Sequence, residues 1–590
     1  MKKRTILTFG LMTGTLTLCS CSSIHFVTLN ETTRTVINLT NLNVEGVSMD
    51  GAKNRALFPQ KEVTFKVNPK YENVLYCDFS TYASLVADTF TVKGVTYECD
   101  GSTFTVKNKD GQLIYAAGVD TSSKQLFYGG SLTSATTDEE QTLSLYGALL
   151  ADADFQQNAL QEGSSQFNFS SYANYAFPTY YQNRQFIAPL ALFDSAFGSS
   201  ASLYHLDGFS DMVQYNNIVA LALPIQEGDK NITQAIQAVY EEKGMPEDLR
   251  LLDKASLYFV MDNYYGLAAH KNIKSMSQYL DDHGVGSGLM SDDPATRSYT
   301  IYDAFAILND DHSGVKNIAP YWGDNLVDSH RGPLSVDRQL LKQSLAAQRK
   351  EALGTTSTTY GIDEQVHYST SGDTAYFYFD SFIFDVKPYD ESRRAELWHS
   401  DSYFYFVHQF EAIKEHGGVK NVIIDDSCNG GGVVGIADKL LALISKDNYG
   451  SSITYDLKTN AITELVVRVD SNQDGKYDQD DVYGDDFNIY ILTSPNSFSC
   501  GNWMPVKAQQ QGSAKIIGKK SGGGECVVGS SQLPSGRGIQ ISSTSRLTLM
   551  ENGKPKFAVE NGATPDINLE YYQFYNIDTV EAAINAANQN

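Results

Sequence analysis

Hydrophobic and polar residues alternate along the first part of the chain. Segments 63–67, 89–92 and 103–106 follow this pattern and are separated by Gly, Asn and Asp. Alternation with a period of two predicts half-buried strands joined by turns. We therefore expect a β-rich N-terminal domain over residues 21–130, which serves as a spacer or as a binding module.

The pattern changes along the middle of the chain. Residues 131–235, with a Tyr-rich stretch at 172–181, predict a mixed α/β region. Residues 236–320 carry apolar runs with helical spacing and predict a helical domain that ends in a polar segment. Residues 321–365 contain helix breakers and predict a linker.

Residues 366–580 alternate between strand and helix patterns. Apolar runs at 375–379, 422–424 and 489–493 predict buried strands, and a helix is expected over 403–416. Such alternation predicts a parallel sheet with helical crossovers, which is an α/β domain. The whole chain is therefore expected to be multidomain.

Two turns of this domain carry the candidate chemistry. Asp425–Gly432 follows the strand at 422–424, and Ser497–Asn502 follows the strand at 489–493. Each turn is expected to lead from a strand into a helix, which exposes backbone N–H groups beside an accessible serine. An oxyanion hole and a nucleophile need that combination.

Composition narrows the class of protein. The 590 residues suffice for three or four domains, and the 12% aromatic content argues against general disorder. The net charge of −25 argues against binding of nucleic acid or of an anionic membrane surface.

Residues 1–20 are interpreted as a lipoprotein signal peptide. A basic start is followed by an apolar run from Ile6 to Leu18, and Leu18-Cys19-Ser20-Cys21 resembles a bacterial lipobox. We expect lipidation of Cys21, with an ordinary signal peptide as the alternative. The protein would then stay at the cell membrane on its extracytoplasmic face, in contact with the bilayer only through this lipid anchor.

The seven cysteines leave open questions. Cys77 and Cys99 can pair in a compartment that permits disulfides. Cys428, Cys500 and Cys526 lie near the candidate site, and at least one of the three is expected to be free or paired elsewhere.

An acidic loop has the ligand spacing of a calcium-binding loop. A Gly at its sixth position allows the sharp turn. We expect a structural Ca²⁺ in an insertion at 470–481, with an acidic hairpin tip that binds no metal as the alternative. The expected ligands are Asp470, Asn472, Asp474, the carbonyl of Lys476, Asp478 and Asp481.

Five motifs occur in the order found in the S41 peptidases, and the region they cover, about 240–570, resembles that family. The motifs are Leu308–Ser313, Asp425–Gly432, Ser497–Asn502, Gly518–Gly524 and Val559–Ile567. The family includes the C-terminal processing peptidases and the tricorn proteases. The resemblance implies a ClpP/crotonase-like α/β catalytic domain, a peptide or protein substrate and no catalytic metal.

The resemblance favours the tricorn-like branch. The processing peptidases use a Ser–Lys dyad, and the position that matches their lysine is Gly524. The tricorn-like branch uses Ser, His and Glu, which match Ser499, His312 and Glu560. Asp311 stands where that branch has a serine.

The implied reaction is that of a serine-type endopeptidase. Ser499 needs a base, and His312 can accept its proton near neutral pH. Glu560 or Asp311 would support the imidazolium. An acyl-enzyme would form on Ser499 and be hydrolysed by water.

The expected oxyanion donors are the backbone N–H groups of Cys500 and of Gly431 or Gly432. Cys500 is itself an alternative nucleophile, since thiolates are strong nucleophiles. Two other functions stay open: an esterase, or a binding protein on the same fold. Departures from the family pattern at Asp311, Ser427 and Asn502 suggest the latter.

Overall fold

The structure is a computed structural model of the 590-residue chain. Residues 1–20 and Cys21, expected to form the lipoprotein signal, lie outside the residues described. In the part of the chain described, no helix combines the length and apolar character needed to cross a membrane. The structure describes residues 28–38, 61–87, 96–100, 102–107, 111, 113–120, 125–130, 149, 151–168, 177–183, 185–198, 211–215, 218–222, 245–315, 336–354, 361–362, 365–385, 387, 389–534 and 537–589.

The N-terminal part is built mainly of strands. The predicted strands at 63–67 and 103–106 fall within β2 and β5, whereas 89–92 lies outside the described residues. The elements are β1 Asn30–Asn38, β2 Lys61–Asn68, β3 Tyr71–Asp78, α1 Phe79–Ala87, β4 Thr96–Asp100, β5 Thr103–Lys107, β6 Leu113–Asp120, β7 Gln125–Gly130, β8 Ala153–Gln161, β9 Ser164–Asn168, β10 Tyr180–Gln182, β11 Gln185–Pro189, α2 Leu190–Phe193, a π-helical turn Asp194–Gly198, β12 Asp211–Tyr215 and β13 Ile218–Ala222.

Apart from β8, these strands form two sheets that cross the expected boundary at residue 130. One sheet has seven strands in the order β10-β11-β3-β2-β1-β13-β12, and the other has the order β4-β5-β6-β7-β9. Strands from 131–235 therefore complete sheets that begin in 21–130. A local pattern could not indicate this, because strand pairing joins segments that are distant in sequence.

The middle part is helical, and α6 leads directly to the His312 turn. Asp293 caps α6 by accepting from the N–H groups of Ala295 and Thr296, and Pro294 occupies its first turn. The elements are α3 Glu247–Tyr264, α4 Met276–Asp282, α5 Val285–Leu289, α6 Pro294–Ala306, β14 Gly314–Val315 and α7 Val336–Leu353.

Helix α7 lies inside 321–365, the range expected to be a linker. The helix breakers that predict a linker lie outside 336–353, and within this helix Leu345 and Arg349 are buried against the following domain. This segment is therefore a packed helix over 336–353 and corrects the expectation of a linker there.

The C-terminal part has the alternation of strands and helices expected for 366–580. Its elements are β15 His367–Tyr368, β16 Thr374–Tyr378, a 3-10 helix Glu391–His399, α8 Ser402–His416, β17 Asn421–Asp425, α9 Val434–Leu443, β18 Gly450–Asp456, β19 Ile462–Val469, a 3-10 turn Gln479–Asp481, β20 Asn488–Thr493, α10 Cys500–Gln511, β21 Lys515–Gly518, β22 Cys526–Gln532, β23 Gly538–Leu547, β24 Leu549–Glu551, β25 Lys554–Lys556, a 3-10 turn Val559–Asn561, β26 Ile567–Asn568, a 3-10 turn Tyr571–Gln573 and α11 Ile577–Asn588.

The central sheet of this part has the order β15-β16-β17-β20-β21-β26 and is parallel from β16 to β26. All five residues of β17 are buried, as expected for a strand covered by helices on both faces. The fold is thus mixed α/β, with a parallel sheet where the sequence predicts one.

A second sheet connects distant parts of the chain. Its order is β14-β23-β18-β19-β8, with β22 paired to β23. β8 comes from the region expected to be mixed α/β, and it pairs with β19 just before the acidic loop. Lys439 Nζ fixes the chain before β8 by donating to the carbonyls of Leu149 and Ala151 at 3.2 and 2.7 Å.

Candidate active site

The glycine turn and the serine turn meet at one edge of the parallel sheet. β17 ends at Asp425, which lies opposite Leu492 of β20 in the strand register. The N–H of Phe498 donates to the carbonyl of Asn429 at 3.0 Å and joins the two turns. The carboxyl ends of parallel strands share an edge, so the two motifs come together in space.

Ser499 stands at the N-terminus of α10 in a strained conformation. Its φ is 58° and its ψ is −121°, and its N–H donates to the carbonyl of Gly523 at 2.9 Å. A residue other than glycine held in such a region costs about 1–3 kcal/mol, and such strain clusters at functional sites. The Ser499 side chain is half-buried.

Gly431 lies in close contact with the serine turn. A Cβ at this position, where φ is +107°, would lie 2.6 Å from Ser499 Cβ and 3.1 Å from Cys500 N. The N–H of Gly431 donates to Asn429 Oδ1 at 2.8 Å. Gly432 is exposed, and its carbonyl accepts from the Cys500 thiol at 3.1 Å.

His312 is buried in the turn after α6. Its N–H donates to one carboxylate oxygen of Asp310 at 3.1 Å, and the Ser313 hydroxyl donates to the other at 2.6 Å. Gln540 of β23 donates to the His312 carbonyl at 2.7 Å. The imidazole packs on Phe498, the residue before Ser499, with 4.6 Å between ring centroids. The helical part thus brings His312 to the serine turn.

Glu560 lies on the other side of the serine turn. Glu560 Oε2 accepts from the N–H groups of Gly524 and Glu525, both at 2.9 Å. This holds the loop segment whose Gly523 carbonyl accepts from the N–H of Ser499. Burial raises the pKa of Glu560, and the bond from Gly524 opposes that rise.

Arg338 of α7 contacts three of the site's segments, and the sequence analysis missed it. Its Nη1 lies 2.6 Å from Asp311 Oδ2, and its Nη2 donates to the carbonyl of Gly522 at 2.7 Å. The guanidinium carbon lies 4.6 Å from the centroid of the Phe498 ring. Asp311 is therefore held by Arg338, and no family motif marks that arginine in the sequence.

The two other departures from the family pattern also have partners. Asn502 donates to the carbonyl of Val559 at 2.8 Å and accepts from the Ser521 hydroxyl at 2.7 Å. It thereby ties α10 to the turn that carries Glu560. Ser427 lies 3.0 Å from the hydroxyl of Tyr575.

The lysines that follow the serine turn in sequence are not positioned to form a Ser–Lys dyad. Lys519 Nζ donates to Glu570 at 2.8 Å and to Asn568 Oδ1 at 3.3 Å. Lys520 is exposed, and Gly524 contacts the serine turn with its backbone.

The cysteines whose side chains the structure describes are free and buried. They are Cys77, Cys428, Cys500 and Cys526. Burial raises the pKa of the Cys500 thiol, with the charge of Asp438 adding to the rise. A thiol held neutral is a poor nucleophile, which disfavours the alternative that Cys500 attacks the substrate.

The loop at 470–481 has the bend of a calcium loop. Asp470 accepts from the N–H groups of Asp474 and Gly475, each at 3.0 Å, and Gly475 has a φ of +79°. The buried Asp481 accepts from the N–H groups of Asn472 and Asp478. These carboxylates turn toward the loop's own N–H groups, and the side chain of Lys476 donates to Asp474.

No group of three or more His, Cys, Asp and Glu side chains within the described ranges is arranged to hold a metal ion. The fit of Ca²⁺ to loop 470–481 rests on the loop's bend and on its oxygen donors. Calcium binding there stays a prediction.

The sheet edge gathers a strained serine, a histidine, a glutamate and the N-terminus of a helix. Such an arrangement can activate a hydroxyl and stabilise an oxyanion, the two requirements of acyl transfer. The site therefore defines the class of protein as a candidate serine hydrolase with a mixed α/β fold.

The family comparison agrees with this class. Residues 398–569 match the family model described as peptidase family S41. The match includes the glycine turn, Ser499 and Glu560, whereas His312 lies before it. It identifies an S41-type domain in this part of the chain and supports a peptidase of that family.

Solved structures that the chain matches include three that align with more than half of it. A peptidase candidate from Parabacteroides merdae has 17% identity and a TM-score of 0.37, covering 57% of this chain and 96% of its own. A lipoprotein from Streptococcus agalactiae has 13% identity and a TM-score of 0.34, covering 58% and 98%. Mature CPAF complexed with lactacystin has 12% identity and a TM-score of 0.36, covering 58% and 97%. No curated protein matches the chain.

Proposed function

We propose that the protein is a serine endopeptidase of the S41 type that forms an acyl-enzyme on Ser499. One observation carries the proposal: Ser499 is held with a φ of 58° at a helix N-terminus, directly against Gly431. His312 and Glu560 support it, since His312 packs on Phe498 of the serine turn and Glu560 accepts from Gly524, which lies against that turn.

The reaction follows the chemistry of an activated serine. His312 accepts the hydroxyl proton as Ser499 Oγ bonds to the carbonyl carbon of the peptide. The tetrahedral intermediate then breaks its C–N bond, and the leaving amine receives the proton from His312. Water then adds to the ester carbonyl while His312 accepts its proton. The C–O bond to Ser499 breaks, Ser499 Oγ receives that proton, and the new carboxyl group leaves with the product.

We assign the oxyanion donors to the N–H groups of Cys500 and Gly432. Cys500 begins α10, and Gly432 is exposed at the adjoining turn, whereas the N–H of Gly431 already donates to Asn429. A single donor of this kind contributes about 3–4 kcal/mol to transition-state stabilisation. Gly431 then contributes to the site because it has no side chain, which leaves room for Ser499.

We assign Glu560 an electrostatic and positioning role. Its Oε2 holds the N–H groups of Gly524 and Glu525. Its negative charge beside the site favours the imidazolium that forms when His312 accepts the proton.

The test is labelling with a fluorophosphonate probe, which reacts with activated serines. Wild type is expected to label, Ser499→Ala and His312→Ala to lose labelling, and Cys500→Ala to keep it. A folded wild type that does not label would favour a binding protein. A labelled protein that cleaves esters but none of a broad panel of peptides would favour an esterase.

We also propose the lipid anchor and the calcium ion as properties of the protein in its cell. Mass spectrometry of the mature protein is expected to find lipid on Cys21, and Cys21→Ala should release the protein from membranes. Ca²⁺ at 100 times its Kd should stabilise wild type by about 2.7 kcal/mol over a chelator control. Asp470→Asn should reduce that difference, and an equal effect of Ca²⁺ on both proteins would argue against loop 470–481.

A further inference from the structure

We propose that Arg338 is a positioning residue for His312, acting through an ion pair with Asp311 and the ring of Phe498. The contacts of Arg338 with Asp311, Phe498 and Gly522 are called the Arg338 clamp here. This inference rests on the proposed function and adds to it a residue outside the family motifs.

The Arg338 clamp joins the three segments that build the site. Asp311 directly precedes His312, Phe498 directly precedes Ser499, and Gly522 directly precedes Gly523, whose carbonyl accepts from the N–H of Ser499. One guanidinium contacts all three segments with distances of 2.6, 4.6 and 2.7 Å. Arginine suits this position, because its planar fork can pair and stack at the same time.

Phe498 connects the guanidinium to the imidazole. Its ring centroid lies 4.6 Å from the Arg338 guanidinium carbon and 4.6 Å from the His312 ring centroid. The cation and the imidazole are therefore no more than about 9 Å apart, close enough to shift a pKa by roughly half a unit.

The other end of α7 fixes the position of Arg338. Arg349 lies 11 residues later, about three helical turns, and thus on the same face. Its guanidinium is buried and bonds Asp380 at 2.7 and 3.0 Å and Asp425 at 3.2 Å. Asp425 ends the strand before the glycine turn, so α7 is anchored in the sheet that carries the site.

Because Arg338 and Asp311 carry opposite charges, removing one or the other should shift the pKa of His312 in opposite directions. A purely structural role would not produce this difference. Arg338→Met leaves the anion of Asp311 beside His312, so the pKa of His312 should rise. Asp311→Asn leaves the cation of Arg338, so that pKa should fall. The double variant should return close to wild type.

Other ionisable groups surround the His312 turn and are kept in every variant. Tyr265 and the pair His270 and Lys271 follow α3, and Lys271 Nζ donates to the carbonyl of Asn309 at 3.4 Å. The rest lie on the turn itself or on the side of Glu560; they are Asp310, Glu560, Cys526 and Arg546.

The first experiment measures the rate constant of fluorophosphonate labelling between pH 5 and 9. The apparent pKa on the acid side of the pH–rate profile should rise by about 0.5 unit in Arg338→Met and fall by a similar amount in Asp311→Asn. The plateau should fall roughly 10-fold or more in Arg338→Met, because the ring stack no longer holds the histidine turn. Lys350→Met removes an exposed cation of the same helix and should match wild type.

Arg338→Lys separates charge from geometry. Lysine keeps the charge but cannot stack or form a fork, so the acid limb should stay in place while the plateau falls. Circular dichroism and thermal unfolding identify any variant that fails to fold, and Arg338→Lys then replaces Arg338→Met.

The second experiment follows the imidazole directly. NMR titration of ¹³C-histidine in the Ser499→Ala protein, with the signal assigned by His312→Gln, reads the pKa of His312 without activity. Shifts of the His312 pKa in opposite directions in Arg338→Met and Asp311→Asn would support the clamp. They would do so even if wild type never labels, because the absence of labelling counts only against the proposed function. Shifts of the same sign, or none beyond that of Lys350→Met, would overturn the clamp while leaving the proposed function intact.

Discussion

Gly431→Ala is the substitution that should most directly disturb the site without changing any polar group. The new Cβ would lie 2.6 Å from Ser499 Cβ, 2.9 Å from the carbonyl oxygen of Phe498 and 3.1 Å from Cys500 N. The φ of +107° is also one that alanine rarely adopts.

The magnitude follows from these distances. Ser499 Cβ must move by about 0.8 Å to reach an ordinary contact near 3.4 Å. A misplacement of about 1 Å at a reacting group can cost roughly 100-fold in rate. The backbone strain adds about 1–3 kcal/mol of destabilisation, so the unfolding midpoint should fall as well.

The assay is the second-order rate constant of fluorophosphonate labelling at pH 8, with thermal unfolding measured in parallel. Gly430→Ala is the matched control, since a Cβ at this exposed neighbour meets nothing within 4 Å. Gly431→Ala should label about 100-fold more slowly and Gly430→Ala within about twofold of wild type. A Gly431→Ala protein that labels normally, or an equal loss in both variants, would refute the close-approach reasoning.

Three further predictions test the surroundings of the site. Asn502→Ala removes the bonds to Val559 and Ser521. It should destabilise the protein by about 1–3 kcal/mol and slow labelling, whereas normal labelling would make these contacts dispensable. Lys519→Ala should label like wild type because Lys519 is paired with Glu570, and lost labelling would revive a Ser–Lys dyad. Burial raises the pKa of Asp438 from 3.8 to about 7. The folded state therefore binds this proton more tightly than the unfolded state does. The contribution of the protonated carboxyl to the free energy of unfolding is lost as pH rises from about 4 to about 7. Asp438→Asn should flatten the decline of the unfolding midpoint over that range, and an unchanged slope would assign the pH dependence to other groups.

Local patterns were sufficient for the strands and turns of the C-terminal part. The run at 422–424 lies inside β17, and the run at 489–493 lies inside β20. The turn that places a glycine at 431 also forms where the sequence indicates it, because glycine tolerates the positive φ found there. These features depend on a few neighbouring residues, and the sequence determined them.

Long-range packing decided the rest. The segment 336–353 lies in a range whose helix breakers predict a linker, and its burial against the following domain gives it a fixed place as a helix. Likewise, the strand at 153–161 is largely exposed and polar, and pairing with β19 defines it.

The site divides in the same way. Sequence motifs alone indicate the candidate residues of the site: a serine and a glycine in turns, a histidine at a helix end and a glutamate near Pro565. The contacts of Arg338 with Asp311 and Phe498 arise from tertiary packing. The same holds for the hydrogen bond that the N–H of Gly431 donates to Asn429. Turn chemistry is fixed by adjacent residues, whereas an ion pair between a turn and a helix depends on how the whole chain packs.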